Sequence, residues 1–283
     1  MSKRLSSLIA AAGALAATGA LALAAGASGA SSPSAAPALP TLNIALVGNH
    51  QVSVSGSTVS GAVNVVSTFT GGKGPGEAGL VRLDPGVTLP QVLAAVAGAQ
   101  GDPNALTGLA AIVFDAGAPS STQTVLTPGN YAALNLSGNQ NGPGGFATFT
   151  VTQSATPAAL PPASESQTAI EFGFKGPSVL HDGAIVRAQD GGYLVHMIIG
   201  FGVKNPAVGR QVMALLRAGK DGKAQRLSNG SFLSLAGPLS PGGMQQAVLN
   251  AKPGYYVEAC FMDTQDHREH TQLGMERLIR VVK

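Results

Sequence analysis

The feature that most constrains the fold is an internal repeat with a period of 120 to 125 residues. Pro128-Gly129-Asn130-Tyr131 recurs as Pro253-Gly254-Tyr255-Tyr256, and Gln91-Val92-Leu93-Ala94 recurs as Gln211-Val212-Met213-Ala214. The two pairs keep the same order along the chain. Because solenoid repeats run only about 20 to 50 residues, a period this long predicts two tandem domains.

Each copy is expected to consist mostly of strands with one short helix. Short β-branched or aromatic segments alternate with Pro-Gly, Gly-Gly and Asn-Gly turns, a pattern typical of β-sandwiches. In the second copy, Asn205 is a suitable N-cap, Pro206 takes the first helical position and Gly219 ends the pattern; in the first copy, Thr88 and Gly98 play the corresponding roles. We therefore expect an all-β fold of two tandem Greek-key sandwiches, each with one short helix.

The beginning of the chain has the features of a secretion signal. Lys3 and Arg4 precede an uncharged stretch over residues 8–25, which is followed by small residues suited to signal-peptidase cleavage. We expect a signal peptide over residues 1–30, a secreted or periplasmic protein, and no membrane span after its removal.

Low-complexity tracts set the other boundaries. Stretches rich in Pro, Ala and Ser have too little apolar periodicity to pack and are typical of linkers. They predict a linker over 31–41, a first domain over 42–152, a second linker over 153–167 and a second domain over 168–283.

Composition excludes several classes of protein. With 45% hydrophobic and 11% charged residues, the chain does not have the composition of a disordered protein. Lys3 and Arg4 account for two of the three net positive charges, so the chain without its signal peptide has no basic surface for nucleic acid. The single cysteine cannot close an intramolecular disulfide. Because no Ser/His/Asp order, paired-carboxylate pattern or phosphate loop is evident, we expect a protein that is not an enzyme.

The end of the second copy resembles the cupredoxins, the plastocyanin- and azurin-like family. In that family a Pro-Gly-x-Tyr turn leads into a strand that ends in a copper-binding Cys. A following loop supplies a His and a Met, and another His comes from an upstream strand. Here Pro253-Gly254-Tyr255-Tyr256 leads to Cys260, His270 and Met275 follow, and His196 lies upstream. The resemblance extends over both copies and implies copper as cofactor, with His196, Cys260, His270 and Met275 as its ligands.

Such a ligand set has a definite chemistry. A thiolate and two imidazoles in a trigonal arrangement, with a weak axial thioether, are typical of copper sites that transfer electrons. The resemblance thus implies copper binding for electron transfer or copper handling, with a redox or extracellular protein partner that the sequence does not identify.

Three features differ from the usual pattern of that family. Nine residues separate Cys260 from His270, so this loop must fold back to bring the imidazole to the sulfur. Met197 follows His196 at a position where Asn or Asp usually holds the ligand loops together. Glu258 lies on the same strand face as Cys260, where a buried carboxylate needs a partner or a raised pKa.

The first copy lacks the ligands. Alignment on the Pro-Gly-x-Tyr turn places Asn135 at the position of the cysteine and Gly76 near that of the upstream histidine. We expect the first domain to serve as a scaffold or an interaction domain.

A second interpretation is a metal-free secreted binding or structural module. Cys260 would then be an inert buried thiol, Met275 a core residue, and the charged loop around His267 and His270 a solvated segment. Within the metal hypothesis, His267 is a substitute ligand if the loop folds differently. An alternative is that the acidic residues of this loop recruit a harder cation such as Zn²⁺, but His-x-x-His without a Glu at the right offset is not a zincin motif.

Overall fold

A computed structural model describes residues 38–72, 74–99, 101–137 and 144–283. The expected signal peptide, residues 1–30, and most of the first linker lie outside the described residues.

The first half of the described chain, up to residue 152, contains eight strands and one α-helix. In chain order these elements are β1 (Thr41–Val47), β2 (Gln51–Gly56), β3 (Gly61–Thr70), β4 (Gly76–Leu83), α1 (Leu89–Gly98), β5 (Ala110–Ala118), β6 (Ser120–Leu126), β7 (Gly129–Asn135) and β8 (Gly145–Val151).

The second half, from residue 153 onward, contains nine strands and two α-helices among its described residues. In chain order they are β9 (Glu165–Ile170), β10 (Gly173–Lys175), β11 (Val179–His181), β12 (Ile185–Asp190), β13 (His196–Val203), α2 (Pro206–Arg217), α3 (Asp221–Gln225), β14 (Ser228–Leu239), β15 (Met244–Val248), β16 (Gly254–Ala259) and β17 (Glu276–Val282).

The strands of the first half pack as two layers. One layer has the order β6-β3-β1-β2 and the other the order β5-β4-β7-β8. Because side chains alternate along a strand, Leu42, Ile44 and Leu46 of β1 all point inward, where they belong to the same buried cluster as Phe114 and Tyr131 of the facing sheet. The apolar alternation therefore creates a core between the two layers.

The second half repeats this layering. Its two sheets have the orders β10-β9-β12-β15 and β11-β17-β16-β13-β14. Leu180, Val186, Leu233, Tyr256 and Ile279 are buried together in one of its clusters. Strand β13 is buried at every position, which places its first residue, the predicted ligand His196, inside the protein.

The two halves share both a sheet and a core. Strand β15 pairs with β6 through Gln245 opposite Thr124 and Gln246 opposite Gln123, so the two layers join into one eight-stranded sheet. A third buried cluster runs across the boundary between the halves. It contains Val81, Leu83, Ala132 and Leu134 from the first half and Cys260, Phe261 and Met275 from the second. The two halves therefore pack against each other.

The predicted start of the second-half helix is confirmed, whereas the number of helices was underestimated. The side chain of Asn205 accepts a hydrogen bond of 3.0 Å from the backbone N of Val208. The second half, however, also contains α3, and 3₁₀ turns occur at Pro103–Leu106 and His270–Leu273. These elements escape prediction because four or five residues are too few to establish an apolar period.

The segment predicted as the second linker lies against both halves. The carbonyl of Ala158 accepts a 2.8 Å hydrogen bond from the backbone N of Ala62. The carbonyl of Pro161 accepts hydrogen bonds from the side chains of Arg187 and Gln246, both at 3.1 Å. Strand β9 begins at Glu165, three residues before the predicted domain start. Within the described residues, no helix has the length and apolar character needed to cross a membrane.

Candidate metal centre

Three of the four predicted ligands meet at one end of the five-stranded sheet. His196 is the first residue of β13, and Cys260 directly follows β16. These strands are antiparallel neighbours, with Ile199 opposite Ala259, so the start of one lies beside the end of the other. His270 reaches the same point from the following loop. One ligand atom from each of His196, Cys260 and His270 lies within 4.8 Å of the other two.

Short distances separate the sulfur of Cys260 from a nitrogen of each imidazole. Nδ1 of His270 lies 3.3 Å from Sγ of Cys260, and Nδ1 of His196 lies 3.8 Å from it. The two imidazole rings are 4.9 Å apart between centroids. All three side chains are buried, with an exposed fraction of 1% or less. Two imidazole nitrogens thus face one sulfur inside the protein.

The long loop after Cys260 folds back as the sequence requires. Residues Asp263 and Glu269 form an antiparallel bridge, and the backbone N of His270 donates a 2.8 Å hydrogen bond to the carbonyl of Met262. The extra residues therefore form a local turn that returns the chain to its starting point. His267 lies within this turn and is exposed, whereas His270 is fully buried. The structure places His270, and not His267, beside the cysteine.

Met275 occupies the position between the loop and the last strand. Its backbone N donates to the carbonyl of His270 at 3.0 Å, and its carbonyl accepts from the backbone N of Cys260 at 3.2 Å. The residue is fully buried in the apolar cluster that also contains Cys260. These contacts hold Met275 next to the two ligand segments, and a ligand role for its thioether stays a prediction.

Burial controls the protonation of the three side chains. It raises the pKa of the Cys260 thiol to about 12, although the backbone N–H groups of Met197 and Met262 oppose this shift. Burial, together with the nearby His196, lowers the pKa of His270 to about 4. Burial also lowers the pKa of His196, against the opposing effect of Glu171. At neutral pH the protein without metal therefore contains a protonated thiol and two neutral imidazoles.

The turn after β9 covers the two imidazoles, and nothing in the local sequence pattern indicates this. Oε1 of Glu171 lies 3.5 Å from Nε2 of His196, within ion-pair distance but without hydrogen-bond geometry. The ring of Phe172 meets the ring of His270 edge-on, with 5.3 Å between centroids. Phe172 has a φ of 46°, a left-handed conformation that is uncommon for a bulky residue. This turn separates the imidazoles from solvent.

The chain just before His196 must approach the imidazole closely. The carboxylate of Glu171 accepts hydrogen bonds from the backbone N–H groups of Tyr193 and Leu194. Burial would raise the pKa of Glu171, but these hydrogen bonds outweigh it and lower the pKa. A Cβ on Gly192 would lie 2.7 Å from Nε2 of His196 and 2.5 Å from Oε1 of Glu171, so a larger residue here would displace the imidazole or the carboxylate.

Asp190 is a further residue near the site that the sequence pattern did not indicate. It is almost completely buried at the end of β12, and its Oδ1 accepts a 2.8 Å hydrogen bond from the backbone N of Gly192. Its Oδ2 has no hydrogen-bond partner among the described residues. Burial raises the pKa of Asp190 to about 7. This carboxyl group anchors the loop that leads into His196.

The buried carboxylate predicted beside the cysteine has its required partner. Oε2 of Glu258 accepts a 2.5 Å hydrogen bond from Nε of Arg277. Arg277 also donates to the side chain of Gln167 and to the carbonyl of Gly176 on the facing side of the sandwich. Burial raises the pKa of Glu258, and the guanidinium limits this rise. The pair therefore connects the two sheets beneath the candidate site.

The corresponding place in the first half is closed by hydrogen bonds. Asn135 is fully buried; its Nδ2 donates to the carbonyls of Gly48 and Gln51, and its Oδ1 accepts from the backbone N of Ser137. Strand pairing also supports the alignment with the second half. Asn135 lies opposite Ala78 on β4, the strand that begins at Gly76. Cys260 correspondingly follows Ala259, which lies opposite Ile199 on β13, the strand that begins at His196. In the first half, the position of the cysteine is therefore taken by an amide whose hydrogen-bonding groups are already paired.

The donor set fits copper by its chemistry. A sulfur that becomes a thiolate on losing its proton, together with two neutral imidazoles, matches the soft and borderline ligands that copper prefers. The harder alternative, in which the loop carboxylates bind a cation such as Zn²⁺, has less support, because the cluster of described ligand groups contains His196, Cys260 and His270 and no carboxylate.

Comparisons with known proteins add partial structural matches. No protein-family model and no curated protein matches the chain. Among solved structures, Na-dithionite reduced auracyanin from the photosynthetic bacterium Roseiflexus castenholzii is 16% identical; the match covers 42% of this chain and 95% of that one, with a TM-score of 0.26. A multicopper oxidase is 12% identical, with coverage of 86% and 88% and a TM-score of 0.24. A Cu-containing nitrite reductase from Thermus scotoductus SA-01 is 10% identical, with coverage of 86% and 61% and a TM-score of 0.23.

These matched structures all have the cupredoxin fold. The chain is mostly β-structure, it is similar to cupredoxin-fold proteins, and its buried His–Cys–His group is compatible with a copper site.

Proposed function

We propose that this chain is a secreted or periplasmic protein with two tandem Greek-key cupredoxin-like domains, residues 42–152 and 168–283. In this proposal the second domain binds one copper ion for electron transfer or copper handling, and the first domain carries no metal. The ligands are His196, Cys260 and His270, with Met275 as a weak fourth. The observation that carries the proposal is the convergence of both Nδ1 atoms on the sulfur of Cys260, at 3.3 and 3.8 Å.

The protonation states support the binding of a metal cation. Because both imidazoles are neutral at neutral pH, each has a lone pair free for coordination. A bound copper ion would supply a one-electron redox couple. The protein's own residues hold the three donors at fixed positions and exclude water from them, since each donor side chain is at most 1% exposed.

Burial of the ligands supports a carrier rather than an enzyme. A catalytic metal site keeps an open position that substrate or water can reach, as catalytic zinc sites illustrate. Here the side chains of Glu171 and Phe172 lie over the two imidazoles. This arrangement favours a copper ion that stays bound and transfers electrons through the surrounding protein, without direct contact with a substrate.

A metal-free binding or structural module is the second candidate. Its support is that Cys260 and Met275 belong to a continuous apolar cluster, as expected of ordinary core residues. The two candidates differ in what happens when copper is offered to the protein.

The test is a titration of the purified chain lacking residues 1–30 with Cu(II), followed by visible absorption and metal analysis. We expect one copper per chain and an intense thiolate-to-copper band, and we expect a Cys260→Ser variant to lack the band. His267→Ala is the matched control, because it removes an exposed imidazole from the same loop. If the parent binds no stoichiometric copper and shows no band, the copper proposal is rejected in favour of the metal-free module.

A further inference from the structure

A buried side chain of the first half is hydrogen-bonded to two segments beside the candidate metal centre of the second half. Asn104 lies in the 3₁₀ turn Pro103–Leu106 and is 8% exposed. Its Oδ1 accepts a 3.0 Å hydrogen bond from the backbone N of Val195, and its Nδ2 donates a 2.8 Å hydrogen bond to the carbonyl of Asp263. One amide group thus connects two segments that are distant from it in sequence.

The two connected segments are those that carry the candidate ligands. Val195 directly precedes His196, and Asp263 opens the loop that runs from Cys260 to His270. A hydrogen bond to each backbone limits how far the two segments can separate. Asn104 does not contact a ligand atom in either bond, so it acts on the ligands through the backbone.

The orientation of the Asn104 amide is determined by its neighbours. Its backbone N and its Nδ2 both donate to Oδ1 of Asp102, at 2.8 and 3.0 Å. A reversed amide would place its oxygen against the Asp102 carboxylate and the Asp263 carbonyl, and its NH₂ group against the N–H of Val195. Because buried polar groups without a partner are costly, only one orientation satisfies all these groups.

We propose that Asn104 is a positioning residue for the copper site, so that the half of the chain without metal ligands helps to assemble the site in the other half. This inference rests on the proposed copper function. It assigns to the first half a role in metal binding, although the first half lacks the ligands of the second.

The experiment compares the parent with three variants of the chain lacking residues 1–30. Asn104→Ala removes the hydrogen bonds to Val195 and Asp263, together with the side-chain bond to Asp102. Asn104→Asp retains an acceptor for Val195 but replaces the donor by a second oxygen, which faces the Asp102 carboxylate and the Asp263 carbonyl. Asn135→Ala is the matched control, because Asn135 is also buried in the first half and its hydrogen bonds to Gly48, Gln51 and Ser137 stay there.

Two readouts are measured: hydrogen exchange of the Val195 amide in the metal-free protein, and copper affinity by chelator competition together with the visible band. In Asn104→Ala we expect faster exchange at Val195, a shifted band and a loss of affinity of about 10- to 100-fold, the usual cost of removing a partner that orients a ligand. In Asn104→Asp we expect an affinity loss at least as large as in Asn104→Ala, because the second carboxylate oxygen has no proton to donate to the Asp102 carboxylate or the Asp263 carbonyl. We expect Asn135→Ala to retain the parental exchange, band and affinity.

Two results would overturn the positioning role: parental exchange and affinity in Asn104→Ala, or an equal loss in Asn135→Ala. If the parent itself binds no copper, the copper function fails. The Val195 exchange then decides separately whether Asn104 holds the two segments together, because that measurement needs no metal.

Discussion

Nδ1 of His270 lies 3.3 Å from Sγ of Cys260 although nine residues separate the two in the chain. The bridge between Asp263 and Glu269 closes most of the intervening loop upon itself. The imidazole is therefore delivered by a locally hydrogen-bonded turn, and the length of the loop does not loosen the site.

Replacing the two loop histidines should have unequal effects on copper binding. His270→Ala removes a buried donor beside the sulfur, so we expect copper affinity to fall by more than the roughly 100-fold that the loss of an outer partner can cost. His267→Ala removes an exposed imidazole, and we expect nearly parental affinity. Chelator competition measures both. Equal losses in the two variants would contradict the assignment of His270.

Copper affinity should increase with pH. Burial raises the pKa of the Cys260 thiol to about 12, so the thiol is protonated at neutral pH and must lose its proton when the sulfur binds a metal. The pKa of His270 is about 4, so this imidazole adds no proton release above about pH 5. One proton released per copper makes the apparent affinity rise about tenfold per pH unit.

Chelator competition between pH 6 and 8, corrected for protonation of the chelator, measures this slope. Cys260→Ser serves as the comparison without a thiol. A parental affinity that does not change with pH would mean that the thiol is not a ligand.

Acid should destabilise the metal-free protein through His270. The unfolded chain takes up a proton at this residue near pH 6.5, whereas the folded chain does so only near pH 4, because burial lowers the pKa. Below pH 6.5 the unfolded state therefore binds more protons, and the contribution of His270 to stability is complete above pH 6.5 and is lost as pH falls toward 4. The pKa difference corresponds to about 3 kcal/mol.

Denaturant unfolding of the parent and of His270→Gln at pH 7 and pH 4 measures this contribution. We expect the free energy of unfolding to fall more steeply with acid in the parent than in the variant. Parallel pH profiles would show that the folded protein protonates His270 as readily as the unfolded chain.

Removing Arg277 should destabilise the fold without touching a ligand. In Arg277→Met the fully buried Glu258 loses its cation, and stranding a buried charge costs about 3 to 5 kcal/mol. We expect a smaller loss at pH 5 than at pH 7, because burial raises the pKa of Glu258 and protonation removes the stranded charge.

The double variant Glu258→Gln/Arg277→Met should be more stable than Arg277→Met alone at pH 7, since no buried charge then remains. It should stay below the parent, because the bonds of Arg277 to Gln167 and Gly176 are also lost. Denaturant unfolding measures both variants, and equal stability of the single and double variants would contradict the role of the charge.

Local patterns in the sequence were sufficient for one helix start and one strand near the site, although they missed the 3₁₀ turn that begins at His270. Asn205 and Pro206 predicted the start of a helix, which the structure confirms, because a helix cap depends on residues only a few positions apart. The Pro-Gly-x-Tyr turn leading to Cys260 similarly marked the strand that places the sulfur at the end of the sheet. The later His270 and Met275 were identified by resemblance to a known pattern, and their binding of copper stays a prediction.

The tertiary structure alone decided what surrounds these residues. It selected His270 over His267 as the neighbour of the sulfur, placed Glu171 and Phe172 over the imidazoles, and brought Asn104 to Val195 and Asp263, which are 91 and 159 residues away. A side chain such as Asn104 carries no local signal of these contacts, because its partners are backbone groups that any residue provides. The sequence determined the strands, turns and helix caps by short-range physics, and the packing of the two halves determined which distant side chains complete the site.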